Sequence, residues 1–280
     1  MSEYNSLVSL EQESYISAYK KMQKVLIALL SIYFLNVFYY GFITIINATV
    51  ACALCFIIDN ICYKIQKKSR QKGDISSLIT GLIFVLLLPA NIPLYILIIG
   101  CFVAICVAKA PFGGFGKNIF NPAAVAFCFV AISFKSQVLM YPDTFSQGGI
   151  GGIESAKMVQ GISATLTINS SPNIGMFDVV LGRFAGPLAV TSVILLLACG
   201  LFLIITKTIN WKIPFITILT CSAFAFIFPR ASVSQFQSVF YELTSGLIVF
   251  GSIFMATDPV LVPKKSTSQI LYAFVLGITT

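Results

Sequence analysis

Histidine is absent from the 280 residues, tryptophan occurs once, and charged side chains make up only 10% of the chain. The missing histidine excludes His-based acid–base pairs, His-ligated haem and His-containing zinc sites. The shortage of charge excludes a soluble globular domain, because such domains carry about 25% charged residues. What fills the gap is apolar: 58% of the residues are hydrophobic. The charge that remains is unbalanced, with 18 Lys and Arg against 10 Asp and Glu, a net charge of +8. Such a surplus points to nucleic acid if it gathers on one face, and to membrane topology if it lies in the loops between spans.

A membrane helix needs about 20 mostly apolar residues. Eight runs of this kind are clear, near 25–41, 43–63, 75–90, 93–109, 119–134, 187–206, 212–228 and 243–257. A ninth, 268–280, is cut short and has no polar flank, which leads us to expect further chain beyond it. The polar opening segment 1–24 lacks the basic start and apolar run of a signal peptide. With that segment in the cytoplasm, the inner loops receive Lys20, Lys21 and Lys24, then Lys64, Lys67, Lys68, Arg70 and Lys72. They also receive Lys109 and Lys117, Lys207 and Lys212, and Lys264 and Lys265. Only Lys135, Lys157, Arg183 and Arg230 fall outside. Fourteen basic residues inside against four outside is the positive-inside pattern, so the surplus sets topology and implies no nucleic acid. This gives an all-α polytopic membrane protein with its N-terminus in the cytoplasm. A first group of five helices spans 25–134, an extracytoplasmic loop covers 135–186, and a second, C-terminally incomplete group covers 187–280.

Proline and glycine interrupt the spans. Gly81-Leu82-Ile83-Phe84 leads to Leu88-Pro89-Ala90-Asn91, and Gly246-Leu247-Ile248-Val249 leads to Thr257-Asp258-Pro259. The two segments are five spans apart and therefore antiparallel, as in inverted repeats whose broken helices form a midplane site. Gly and Pro are also simply common in membrane helices.

Several residues carry potential chemistry. Eight cysteines lie in apolar stretches. Cys52 and Cys55 form a C-x-x-C that could ligate a metal beside a second pair such as Cys101 and Cys106, although free cysteine otherwise packs as a small hydrophobe. Asp59 is the only acid inside an expected span, and it reads as an interfacial ion pair with Lys64 or a solvated group. Asn36 and Asn47 are central enough to bond between helices. The run from Gly113 and Gly114 through Lys117 and Asn118 to Asn121-Pro122-Ala123 is a tight inner turn leading to an Asn-capped helix start. With Lys117 nearby it could also receive an anion. In the outer loop, 143–152 is flexible in composition, and Ile162–Ile168 alternates and contains β-branched residues, as a short strand does. Its Thr165 and Thr167 offer hydroxyls for a phosphoester, and small Ser163 and Ala164 leave room beside them.

The order of these pieces resembles a known family. Leu78-Ile79-Thr80-Gly81-Leu82 and Leu88-Pro89 are followed by Gly113-Gly114-Phe115-Gly116, Asn118-Ile119-Phe120-Asn121-Pro122-Ala123, Ser163-Ala164-Thr165, Trp211-Lys212-Ile213-Pro214 and Phe254-Met255-Ala256-Thr257-Asp258-Pro259-Val260. The sequence is similar from about residue 75 to the end to the D subunit of the Rnf electron-transport complex, a family shared with the B subunit of the sodium-pumping NADH:quinone reductase. The resemblance implies ten helices in inverted five-helix repeats with broken helices, as in urea transporters. It implies a component of an ion-pumping ferredoxin:NAD oxidoreductase, with covalent FMN attached by a flavin transferase to Thr165 or, failing that, Thr167. Non-covalent riboflavin is a possible second carrier. Electrons would arrive from the FMN-bearing G subunit and leave toward the NAD-side C subunit, coupled to Na+ or H+. Ser163, Ala164, Gly113, Gly114, Asn118, Asn121 and Asp258 occupy the family's motif positions. Two positions depart from the pattern: Ile162-Ser163 stand where Ser-Gly is usual, and Val190 stands where a glutamate is usual. A cofactor-free solute channel of the same fold is the competing reading.

Overall fold

The computed structural model describes residues 2–68, 70, 74–142, 158–167, 174–229 and 234–280, and gives no side-chain description for residues 2–17, 163 and 167. Helix α1 covers Ser2–Tyr40 and α2 covers Ile43–Ile65. The apolar part of α1, Ala18–Tyr40, and the whole of α2 are each 23 residues, long enough to cross a membrane. Helix α3 (Ser76–Leu86) stops short at the Leu88-Pro89 break. Helix α4 (Leu94–Phe102) continues through a π-helical turn, Val103–Val107, and a 3-10 turn, Ala110–Phe112, to make the third membrane-length element.

Asn121 ends the next loop as expected, its Oδ1 accepting from the N–H groups of Ala123 and Ala124 at 3.0 and 3.3 Å. That cap and Pro122 start α5 (Pro122–Ser133). A short α6 (Lys135–Val138) leads into β1 (Met140–Pro142), which pairs antiparallel with β2 (Met158–Gln160). The segment expected as a strand, 162–168, is instead helix over Ile162–Thr167 (α7). The flexible stretch expected over 143–152 lies outside the described residues. Helices α8 (Met176–Val180), α9 (Val193–Ile205) and α10 (Lys212–Ile227) follow. The run expected as one span at 243–257 is a pair bent by 59°, α11 (Gln235–Ser245) and α12 (Ile248–Phe250), the latter extended by a second π-helical turn, Gly251–Met255. Helix α13 (Ser266–Thr279) completes the described chain. Every apolar run read from the sequence therefore contains helix, but among the described residues only α1, α2 and the α4 element reach membrane length, with the bent pair as a fourth if counted as one span.

A belt of large apolar side chains is exposed on the outside of this body, among them Phe34, Ile61, Ile132 and Leu201. Exposed apolar surface on this scale is a lipid-facing surface. The interior is apolar and continuous, with Phe84, Leu86, Leu88, Ile96, Leu97 and Phe250 fully buried.

The interior breaks expose carbonyls that lipid cannot satisfy. The two central asparagines fill that need. Asn47 Nδ2 donates to the Ala90 carbonyl at 3.0 Å, and Asn36 Nδ2 donates to the Leu188 carbonyl at 3.1 Å. Thr191 Oγ1 donates to Asn36 Oδ1 at 2.5 Å, while the Leu188 N–H donates to the Leu88 carbonyl at 3.2 Å. The break after α3 and the Pro187-Leu188 segment thus meet in the interior. Gly182 makes this possible. Its φ is 80°, and a Cβ there would lie 1.3 Å from the Thr191 carbonyl oxygen. Gly182→Ala is expected to cost about 4 kcal/mol or more, because both the φ and the space exclude a side chain. Thermal unfolding of the detergent-solubilised variant checks it; an unchanged midpoint contradicts the packing described.

The contacts sort the loops into two ends. One end gathers residues 18–25, 76–83, 115–122, 203–209 and 253–260. The other gathers Tyr39 with Leu181, Asn91 with Met158, and Tyr241 with Ile174.

Candidate functional site

At the first end a cavity of about 260 Å³ opens between α1, α3, the loop before α5, the end of α9 and the segment after the second π turn. Its polar wall includes Ser76, Thr80, Asn118, Asn121, Thr257 and Asp258. Its apolar wall includes Val25, Ile79, Ile83, Phe115, Leu203 and Phe254. An apolar slot with a few converging polar groups is the form of a small-molecule site.

Three residues singled out from the sequence, Asn118, Asn121 and Asp258, meet here from segments more than 130 positions apart. Asn118 Oδ1 is buried and has no hydrogen-bond partner among the described residues. A buried acceptor without a partner costs about 1–3 kcal/mol, so a donor from a ligand in the cavity would satisfy it. Asp258 Oδ1 accepts from the Val260 N–H at 3.0 Å, and burial raises its carboxyl above the ordinary carboxylate range. Thr257 Oγ1 donates to the Ile253 carbonyl, tying this segment to the π turn.

Gly113 and Gly114 do not line the cavity. Both have positive φ, 109° and 86°, and a Cβ on Gly114 would come within 2.7 Å of the Tyr63 hydroxyl. They turn the chain against α2, where the Phe115 N–H donates to Tyr63 Oη at 3.3 Å. In this way they place Phe115 and Asn118 in the wall.

Behind α3 lies a group of charges whose pairing differs from the sequence expectation. Asp59 is neither solvated nor paired with Lys64. It is 2% exposed, and its Oδ2 accepts from Lys109 Nζ at 2.9 Å. Lys109, counted with the inner-loop charges, has its side chain only 1% exposed, and its Nζ also donates to Ser76 Oγ at 2.9 Å. Arg70 stands 3.8 Å from the same Asp59 oxygen, donates to the Asp74 carbonyl and Ser77 Oγ, and stacks 4.4 Å over the Phe56 ring. Asp74 is buried too, its Oδ1 accepting from the Ser76 N–H at 2.8 Å. The sequence hides this partner because Lys109 is 50 positions from Asp59 and follows a π-helical turn, which changes the face that the chain presents. Glu242, one position before the run read at 243–257, is a further acid buried within a helix, α11.

The cysteines pair across helices and not along the C-x-x-C. Cys62 and Cys106 sulfurs lie 3.7 Å apart, Cys52 donates to the Leu78 carbonyl, and Cys101 donates to the Ala51 carbonyl. Among the described residues no group of three or more Cys, Asp or Glu is placed to hold a metal ion.

Thr165 is at the other end of the body. It sits on α7, held down by buried Ile162 and Leu166, and its half-buried Oγ1 donates to the Ile162 carbonyl at 2.7 Å. Ala164 is also half-buried, and the side chains of Ser163 and Thr167 are outside the description. Lys21 at the cavity and Tyr39, which bonds Leu181 at the other end, are on one helix, about 27 Å apart at 1.5 Å per residue. Val190, where the resemblance expects glutamate, is buried in a 3-10 turn over Leu188–Val190 beside Thr191.

Membrane-length helices, interior breaks closed by asparagine and a lipid-facing apolar belt define a polytopic, largely helical membrane protein. The chain belongs to the NQR2, RnfD, RnfE family, whose sequence profile it matches over residues 11–280. It is 31% identical over 270 residues to the D subunit of the proton-translocating ferredoxin:NAD(+) oxidoreductase complex of Clostridium ljungdahlii, covering 94% of this chain and 81% of that protein. It is 29% identical over 289 residues to the D subunit of the ion-translocating oxidoreductase complex of Actinobacillus succinogenes, covering 87% of this chain and 78% of the relative. Against the protein of the same name from Stutzerimonas stutzeri the identity is 28% over 282 residues, with 91% and 80% covered.

Proposed function

We propose that this protein is the D-type membrane subunit of an ion-translocating ferredoxin:NAD oxidoreductase complex. In this reading it carries FMN as a phosphoester on Thr165, attached by a flavin transferase. It holds a second, non-covalent flavin, riboflavin, in the cavity. It passes electrons across the bacterial cytoplasmic membrane between the G and C subunits, coupled to Na+ or H+ movement. The observation that carries it is the family match over residues 11–280 to relatives named for that complex.

Two features of the chain fit the flavins. Thr165 Oγ1 spends its proton on the Ile162 carbonyl, which leaves the oxygen's lone pairs for a phosphoryl group. The cavity presents apolar faces for a ring and, in Asn118 Oδ1, an unsatisfied acceptor for a ring N–H. Its volume is just below the usual ~300–1,000 Å³ of small-molecule pockets, which suits a ring system with its tail at the mouth. Flavin supplies one- and two-electron transfer when bound; the protein contributes tethering, orientation and the exclusion of water. A site at each end is what a path across a core of about 30 Å requires.

The broken helices and bent pair fit a solute channel as well, so the test targets the tether. Protein made in cells that express the flavin transferase is denatured in acid and run on a gel. Yellow-green fluorescence at about 30.5 kDa is the expected result. A dark band removes the covalent flavin and leaves the channel reading in possession.

A further inference from the structure

We propose that the buried chain Asp59–Lys109–Ser76 sets the charge state preferred by the ligand of the cavity, with Ser76 as the contacting donor and Lys109 as the residue that positions and strengthens it. The proposal rests on the reading of the cavity as a flavin seat.

A buried ammonium within a membrane protein is costly and marks function by default. Pairing with Asp59 makes Lys109 tolerable, but the pair alone does not explain its place. Lys109 Nζ lies between two oxygens, Asp59 Oδ2 and Ser76 Oγ, each at 2.9 Å. Ser76 is a wall residue of the cavity, and Lys109 is not. The ammonium is therefore held one side chain behind the wall, and its counter-charge Asp59 is likewise off the wall. Ser76 Oγ accepts from Lys109 and makes no other hydrogen bond among the described residues, so its own proton is available to an acceptor in the cavity. A hydroxyl whose oxygen accepts from a cation is a stronger donor.

The other charges do not cancel this arrangement. Arg70 approaches Asp59 at 3.8 Å and is tied to Asp74, so it reinforces the screening of the carboxylates. Asp74 Oδ1 accepts from the Ser76 N–H, and its Oδ2 makes no hydrogen bond among the described residues and stands 3.9 Å from Arg70 Nε. Asp258, also a wall residue, satisfies one oxygen on its own loop. The wall at Ser76 thus favours a ligand that is acceptor-rich or negatively charged there. For a flavin, that is the reduced form over the oxidised one.

The test measures the affinities of purified protein, assembled in its complex, for oxidised and reduced riboflavin. Lys109→Gln is expected to lower the reduced-to-oxidised affinity ratio by about tenfold, and Asp59→Asn, one side chain farther from the wall, to raise it by about threefold, from a unit charge several ångströms away in a medium of effective dielectric about 20. Damage to the fold would move both variants the same way, so opposite signs are the signature. Ser76→Ala keeps the ion pair and is expected to weaken binding of reduced riboflavin about tenfold. It carries the test if Lys109→Gln does not fold. Shifts of the same sign in the two charge variants, or an unchanged affinity in Ser76→Ala, overturn the proposal while leaving the flavin seat standing. Failure of the unaltered protein to bind riboflavin overturns the seat and this proposal with it.

Discussion

Thr165→Ala abolishes the flavin fluorescence of the acid-denatured protein, whereas Thr167→Ala leaves it unchanged. The expected effect is all or none, because a phosphoester needs a side-chain oxygen and alanine has none. The short helix α7 gives the reason for choosing Thr165. Its residues Ile162 and Leu166 are 3% and 1% exposed and fix the helix to the body. Thr165 lies between these two anchors, with its hydroxyl already oriented by the 2.7 Å bond to the Ile162 carbonyl. Losing that bond costs about 1 kcal/mol, too little to unfold the protein, so the variant should accumulate normally and simply be colourless. Loss of fluorescence only in Thr167→Ala moves the acceptor to that residue and leaves the rest of the reading intact.

Parts of this molecule are plain in the sequence because they follow local rules. The helix start at Asn121-Pro122 depends on one side chain reaching two N–H groups next to it, and the structure has that cap. The bonding of Asn36 and Asn47 between helices follows from the absence of water in a membrane interior, although the sequence does not say which carbonyls they take. The shapes that depend on partners are not legible. Alternation over 162–168 describes a strand equally well until Ile162 and Leu166, four apart, are seen buried together, which is a helical spacing. Asp59 has Lys64 nearby in sequence, and only packing reveals that a π-helical turn delivers Lys109 to it from another helix. The site divides in the same way. Asn118, Asn121 and Asp258 stand in motifs and do converge, whereas Ser76 and Lys109 carry no motif and are joined to the site only by hydrogen bonds behind its wall.

Lys109→Met is expected to destabilise the protein by about 3–5 kcal/mol, the usual result of leaving one member of a buried ion pair unpaired. Arg70, 3.8 Å from the Asp59 oxygen, offsets part of this and places the value toward the lower end of that range. Adding Asp59→Leu to Lys109→Met removes both charges and is expected to restore most of the loss, because replacing a buried pair with apolar side chains is often neutral. Unfolding in detergent of the two single variants and the double variant closes the cycle, and the coupling energy should be at least about 2 kcal/mol for groups 2.9 Å apart. The cycle also separates two reasons for keeping charges inside a membrane. If the pair exists to hold α2 against the α4 element, the double variant should recover both stability and the discrimination between reduced and oxidised flavin. If the ammonium is kept for the wall at Ser76, stability returns and the discrimination does not. A stable double variant that no longer favours the reduced flavin would show that the fold tolerates an apolar replacement and that the cavity is what requires the charge.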